Sequence, residues 1–375
     1  MRKHIIYRYF LFLSLVGLMQ LTLSCSSSSN EIEPLKPEGE DTPLEKDEYT
    51  FMNVEYRKWQ NGTFQAWTTA DSRETRTIDN MNWYTPSSDY SRTAWGGRIG
   101  LQPSSVVGKE GFFRVANCGG RSYLLDPDNG AVIIHGIQHV RPGESTAHKK
   151  AFGTRYGSEA RWSEETGKLL ADNHINYISY GSNRIEVFPA AVRGNLLTPK
   201  TQKIAYAENL YLLRTFMWDM SKNLGYAFDD DKYNRLVLLF EPTFATYIDR
   251  LVQEKSALFA GDRHFIGFYL DNELPFASYQ GTGYANTEGG GWLVHTQKNR
   301  GEFYQNFCLR LLETHNCVGW VHFEYNDGYD SNGKASNKGV VSIEYEPYES
   351  FLSQMRQLNL SVHSLIDYYD IKSVQ

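Results

Sequence analysis

The residues of this 375-residue chain best suited to chemistry are Asp271, Asn272 and Glu273, which follow the apolar run Phe265-Ile266-Gly267-Phe268-Tyr269-Leu270. A glutamate just past a buried strand is placed to give up a proton, because partial burial raises a carboxyl pKa toward neutrality. The amide of Asn272 beside it is suited to hydrogen-bond a ring hydroxyl. Hydrolysis of a glycosidic bond takes two carboxyl groups, one protonating the leaving oxygen and one attacking the sugar or activating water. The same residue types also cap helices, and local features alone leave both roles open. Candidates for the second carboxylate are Glu288, Glu302, Glu324 and Glu344. Glu302 reads as the solvated face of a helix. Glu324 shares strand parity with Trp320 and His322, so all three are expected on one side of a strand, facing Glu273 if that side is an interior.

The elements around these residues alternate. Trp162 to Ala171 reads as a helix, Ile175 to Tyr180 as a strand, Tyr211 to Trp218 as another, Phe244 to about Leu258 as a helix, and Phe265 to Leu270 as a strand. Strands separated by helical patterns imply βαβ units and a parallel sheet. In a barrel of such units the reactive groups sit at the carboxyl ends of strands, where Asp271 to Glu273 stand. Upstream, turn residues Asn117-Cys118-Gly119-Gly120 and Asp126-Pro127-Asp128-Asn129-Gly130 separate apolar runs and predict hairpins. From Tyr49 to Val107, four tryptophans lie among Gly, Thr, Asn and Ser with no helical period, which predicts β-rich structure.

Composition narrows the class. A formal net charge of −6 with no block of Lys and Arg gives no electrostatic footprint for nucleic acid. Twenty-five tyrosines and eight tryptophans suit a carbohydrate binder, since sugar rings stack on flat aromatic faces, although exported proteins are often tyrosine-rich too. Basic Arg2, Lys3 and Arg8, the 14-residue apolar run Phe10 to Leu23, and Ser24-Cys25 have the layout of a bacterial lipoprotein signal. The run is shorter than the ~20 residues that span a bilayer. Acylation of Cys25 and attachment to the cell envelope, at the outer membrane, are therefore expected, with ordinary secretion as the other outcome. Residues 26–48 read as a tether. Cys118, Cys308 and Cys317 have no metal-ligand spacing, and neither a metal nor a cofactor is expected.

Several patches, in order, resemble the agarases of glycoside hydrolase family 50 and their β-galactosidase-like relatives. Leu125-Asp126-Pro127 with His135-Gly136-Ile137-Gln138-His139-Val140 is similar to the first barrel strand. Trp162 with Asn173-His174-Ile175-Asn176-Tyr177 resembles the helix and second strand. Phe240-Glu241-Pro242-Thr243-Phe244 and the FIGFYLDNELPF segment (265–276) look like the family's segments at the fourth unit, and Cys317 to Asp327 looks like its eighth strand. Asn337 to Val341 and Tyr345-Glu346-Pro347-Tyr348 resemble the tail of the barrel. The resemblance implies a (β/α)8 TIM-barrel-type α/β fold and cleavage of a galactan such as agarose or porphyran. It makes Glu273 the acid/base and Asn272 its neighbour. Asn183, Trp218, Trp320, His322 and Tyr325 are the candidate sugar contacts, and Glu324 stands in for the nucleophile.

The chain departs from that pattern in two places. His322 stands where the family is expected to carry tryptophan. Only 46 residues separate Glu273 from Trp320, whereas three βα units need roughly 90, so strands five to seven are not evident and the barrel is expected to be incomplete. The domains read as a signal and anchor (1–25), a tether (26–48), a β-rich segment (49–110) and a barrel-type domain (111–375). A non-catalytic carbohydrate-binding lipoprotein, or a degenerate or truncated glycosidase, is the competing expectation.

Overall fold

The structure is a computed structural model that describes residues 49–60, 63–87, 90–181, 188–224, 240–271, 292–329 and 335–372, with the backbone alone at 59, 60, 221–224, 329, 335, 336 and 372. Cys25, Asn183, Asn272, Glu273 and Glu288 lie outside the described residues. The described residues belong to one compact unit, 47–375.

The fold is mixed α/β. Its centre is a parallel sheet of β1 (Ile134–Ile137), β2 (Tyr177–Ile178), β3 (Ala205–Asn209), β4 (Phe265–Tyr269) and β5 (Gly319–His322), ordered β4-β3-β2-β1-β5. Helices α1 (Thr146–Arg155) and α2 (Glu159–Asp172) connect β1 to β2, α3 (Ala190–Leu197) precedes β3, and α4 (Leu212–Leu224) and α5 (Phe244–Leu258) connect β3 to β4. The pair α6 (Gln297–Glu313) and α7 (Glu349–Lys372) completes the set. Thr296 caps α6, its hydroxyl accepting from the Asn299 N–H at 3.1 Å. Asn176 laces β1 to β2: its carbonyl oxygen accepts from His135 N–H at 2.8 Å and its amide donates to the Ile133 carbonyl at 2.9 Å.

Two antiparallel sheets adjoin this core. One contains Met52–Arg57 between Asp71–Thr75 and Leu293–Val294. The other runs through 105–107, 114–118, 121–125 and 131–132 into β1. Its hairpin turns on Gly119 and Gly120, at φ 61° and 86°, the left-handed pair that a two-residue turn between twisted strands requires.

The strand expected over 211–218 is helix. Asn209 closes β3 when its side-chain oxygen accepts from Tyr211 N–H at 2.8 Å, and Leu213, Phe216 and Met217 then recur at helical spacing and are buried together. Strands five to seven of a barrel were not evident in the sequence, and between β4 and β5 the described residues add no strand to the parallel sheet. Leu293–Val294 joins the N-terminal sheet and 297–313 is helix, so within that interval only the 20 residues 272–291 are undescribed. Twenty residues is less than one βαβ unit of about 30.

Helical spacing along α7 buries Phe351, Leu352, Met355, Leu358, Val362, Leu365 and Ile366, against Cys308, Leu309 and Leu312 of α6 and Tyr49 and Ile78 of the N-terminal segment. Buried Arg76 pairs with Glu313 and Arg121 with Asp370. His135 and His363, 5% and 1% exposed, are pushed by burial down to about 3 from an ordinary 6.5. The unfolded chain therefore takes up these protons at a higher pH than the folded chain. Their contribution is complete above about 6.5 and is lost as pH falls toward 3. Between pH 7.5 and 5.5 each buried histidine is expected to cost roughly 1 kcal/mol of stability, read as a lower urea midpoint at pH 5.5. A midpoint unchanged over that interval contradicts the burial of these rings.

Candidate functional site at the strand carboxyl ends

Each parallel strand delivers a polar or aromatic group at its carboxyl end. His139 follows β1, Ser179 and Tyr180 follow β2, Asn209 ends β3, Tyr269 ends β4 with Asp271 two residues on, and Phe323 and Glu324 follow β5. The tyrosines form a cluster: the rings of Tyr180 and Tyr269 lie 4.5 Å apart, and Tyr177 Oη donates to Tyr269 Oη at 3.3 Å. Burial raises the Tyr177 phenol well above its ordinary value. A cleft of about 630 Å³ adjoins them at Gly181 and Tyr211; its wall is completed by Arg141, Glu208, Phe188 and Phe268 and, from the helix side, Leu251 and Lys255, while Tyr180, Tyr269, His139 and Glu324 do not line it. A cleft of that size with aromatic walls and a few convergent polar groups suits a small ring-shaped ligand.

Asp271 has a specific local task. Its Oδ2 accepts from Leu213 N–H at 2.8 Å, placing a carboxylate at the start of α4, where unpaired N–H groups and the helix dipole favour negative charge. The helix-capping reading thus holds for Asp271, on a neighbouring helix. Glu273 is two residues beyond this anchor.

Glu324 is partly buried, its side chain 16% exposed, and its Oε2 lies 3.0 Å from Nδ1 of His139. The parity expectation fails for its companions. Trp320 is 7% exposed, packs with Leu309, Leu312 and Leu358, and donates its indole N–H to Tyr304 Oη at 2.6 Å. His322 faces the same helices, 5.1 Å from the Phe351 ring, with Nε2 3.0 Å from the Lys338 carbonyl. Burial, with Arg300 nearby, lowers its pKa to about 4. The side shared by Trp320 and His322 is therefore the helix-covered face of the sheet, and neither is presented to a ligand there. Tyr325 is fully buried, its hydroxyl 2.9 Å from Thr166 Oγ1, so it too belongs to the core. Trp218 is 61% exposed on α4, with Arg214 over its ring, and stands on a helix flank instead of a strand end. Glu302 is 3% exposed, against the solvated face expected for it, and accepts from Asn299 Nδ2 at 2.8 Å.

Sequence reasoning passed over His139, Tyr180, Tyr269 and Phe323. A strand-end position was the available signal for each, and it identifies them only once the strands are bounded to within a residue. Among the described residues no cluster of three or more His, Cys, Asp or Glu could hold a metal.

No family model matches the chain, and neither does any curated protein. Among solved structures, the crystal structure of BpGH50 matches with a TM-score of 0.68 and 19% identity, over 86% of this chain and 96% of that one. The agarase AgWH50C matches at 0.46 and 13% identity, over 75% of this chain and 67% of that one, and an exo-β-agarase at 0.41 and 11%, over 75% and 69%. The resemblance to glycoside hydrolase family 50 read from the sequence is thus met in three dimensions: the chain has the fold of BpGH50.

Proposed function

We propose that the protein is a cell-surface glycoside hydrolase that cleaves β-galactosidic bonds in a galactan such as agarose or porphyran, with Glu273 as general acid/base. The observation that carries this reading is the gathering of Glu324, His139, Tyr180, Tyr269 and Asp271 at the carboxyl ends of adjacent parallel strands, with Glu273 two residues beyond Asp271. The five strands correspond in this reading to strands one to four and eight of a (β/α)8-type barrel, the fifth to seventh not being evident among the described residues. In this reading Glu324 is the second carboxylate, with one oxygen engaged by His139. Retaining and inverting cleavage differ in carboxylate separation, about 5 Å against about 6.5 to 9.5 Å. Release of oligosaccharides from agarose by the full chain, abolished in Glu273→Gln, tests the reading.

A second reading is a non-catalytic carbohydrate-binding lipoprotein. It is favoured by the short interval after Glu273, which leaves no room for the strands that would carry a nucleophile by the family route. Retention on an agarose column without product release would support it.

The proposal places the protein on the outer membrane through Cys25, with residues 26–48 as tether. No described helix is long and apolar enough to cross a membrane. A diacylglyceryl group with an amide-linked chain gives stable attachment. Cys25→Ser is accordingly expected to move the protein from the membrane fraction to the soluble one, and a serine variant that still sediments with membranes contradicts the anchor.

A further inference from the structure

His139 is held from three sides. Its Nδ1 lies 3.0 Å from Glu324 Oε2, and its ring meets the Phe323 ring edge-to-face at 5.0 Å. Gly181 lies against the opposite part of the ring: a Cβ there would overlap the imidazole, 2.6 Å from Nε2. The backbone of His139 itself is left-handed, φ 56°, a conformation that non-glycine residues adopt only where the surroundings impose it. Two strand ends, β1 and β5, and the loop after β2 therefore cooperate to fix one imidazole.

The chemistry of the pair sets what that imidazole presents. An ionised carboxylate only accepts hydrogen bonds, so Nδ1 carries the proton and donates it to Glu324. In the neutral ring Nε2 then keeps its lone pair, and no hydrogen bond among the described residues takes it up. Nε2 lies on the edge of the ring beside Gly181; Gly181 and Arg141, though not His139 itself, line the 630 Å³ cleft, and the His139 side chain is 24% exposed. We infer that His139 is a ligand-contacting residue, oriented by Glu324 and given room by Gly181, whose Nε2 accepts a hydrogen bond from a hydroxyl of a sugar ring bound at the strand ends. The inference rests on the carbohydrate reading above and adds to it the group that reads a hydroxyl. A positioned acceptor of this kind discriminates strongly, because a ligand lacking the hydroxyl leaves it unpaired.

Two measurements test it, and they fail separately. The first needs no sugar: with ¹⁵N-labelled histidine in the full chain, the resonances lost in His139→Ala are expected to show the Nδ1–H tautomer, and Glu324→Leu is expected to shift them toward Nε2–H. A wild-type ring protonated at Nε2 overturns the dyad. The second is calorimetry with an agarose-derived tetrasaccharide. His139→Ala is expected to weaken binding about tenfold, the loss of one good hydrogen bond. Gly181→Ala is expected to do the same by displacing the ring, and the double variant to bind no worse than either single one, since both act through one group. Wild-type binding left intact by His139→Ala removes His139 from the site. A wild-type chain that binds no galactan oligosaccharide overturns the carbohydrate reading and the contact role together, while the tautomer result stands or falls independently.

Discussion

Glu273→Gln is expected to lower turnover on agarose-type galactans by about 100-fold or more, within the range that removal of a positioned general acid produces, while leaving oligosaccharide affinity nearly unchanged. Phe265 and Phe268 of β4 pack with Phe259 and Tyr206, which holds the strand in place. Asp271 is tied to the start of α4 through Leu213, so the backbone is anchored two residues before Glu273. Glutamine keeps the size and loses the transferable proton, so a step that needs protonation of the leaving oxygen slows and binding does not. Steady-state rates on a substrate with a poor leaving group are the measurement. Undiminished turnover there would remove Glu273 from the mechanism.

Trp162→Ala is the substitution expected to cost the most stability, about 3–5 kcal/mol. Trp162 is fully buried on α2 among Ile137, Leu170, Ile178 and Leu196, between the β1–β2 part of the sheet and α3. Alanine leaves a cavity at the point where both strands are supported. Set against a typical total of about 5–15 kcal/mol, such a loss is a large fraction. Urea unfolding is the check: a midpoint shift corresponding to under about 1 kcal/mol would mean that the site collapses around the missing ring.

The elements read correctly from sequence are those whose pattern is local and long. Helices α2, α5 and α6, strand β4 and the Gly119-Gly120 hairpin each carry their own period, cap or turn chemistry. An error came where a strand runs almost directly into a helix. β3 ends at Asn209, and Leu213, Phe216 and Met217 just past it are buried at helical spacing, with the side chain of Asn209 making the break that separates the two elements. Trp320 and His322 do share one side of β5, but Glu324 lies past the end of that strand, where alternation no longer holds, and parity does not say which face of a sheet the helices cover. That was settled by α6 and α7, whose packing joins residues far apart in sequence. His139 reads as an ordinary histidine in the sequence for the same reason: its partners, Gly181 and Glu324, are 42 and 185 residues away.

Product analysis of the wild-type chain on agarose tests the central claim most directly. Purified protein is incubated with agarose and porphyran, and soluble products are resolved by mass spectrometry, with Glu273→Gln in parallel. The account predicts a ladder or a single species of galactan oligosaccharides from the wild type and about 100-fold less from the variant. Agarose that stays intact while the protein binds it contradicts the hydrolase and leaves the strand-end site as a binding surface.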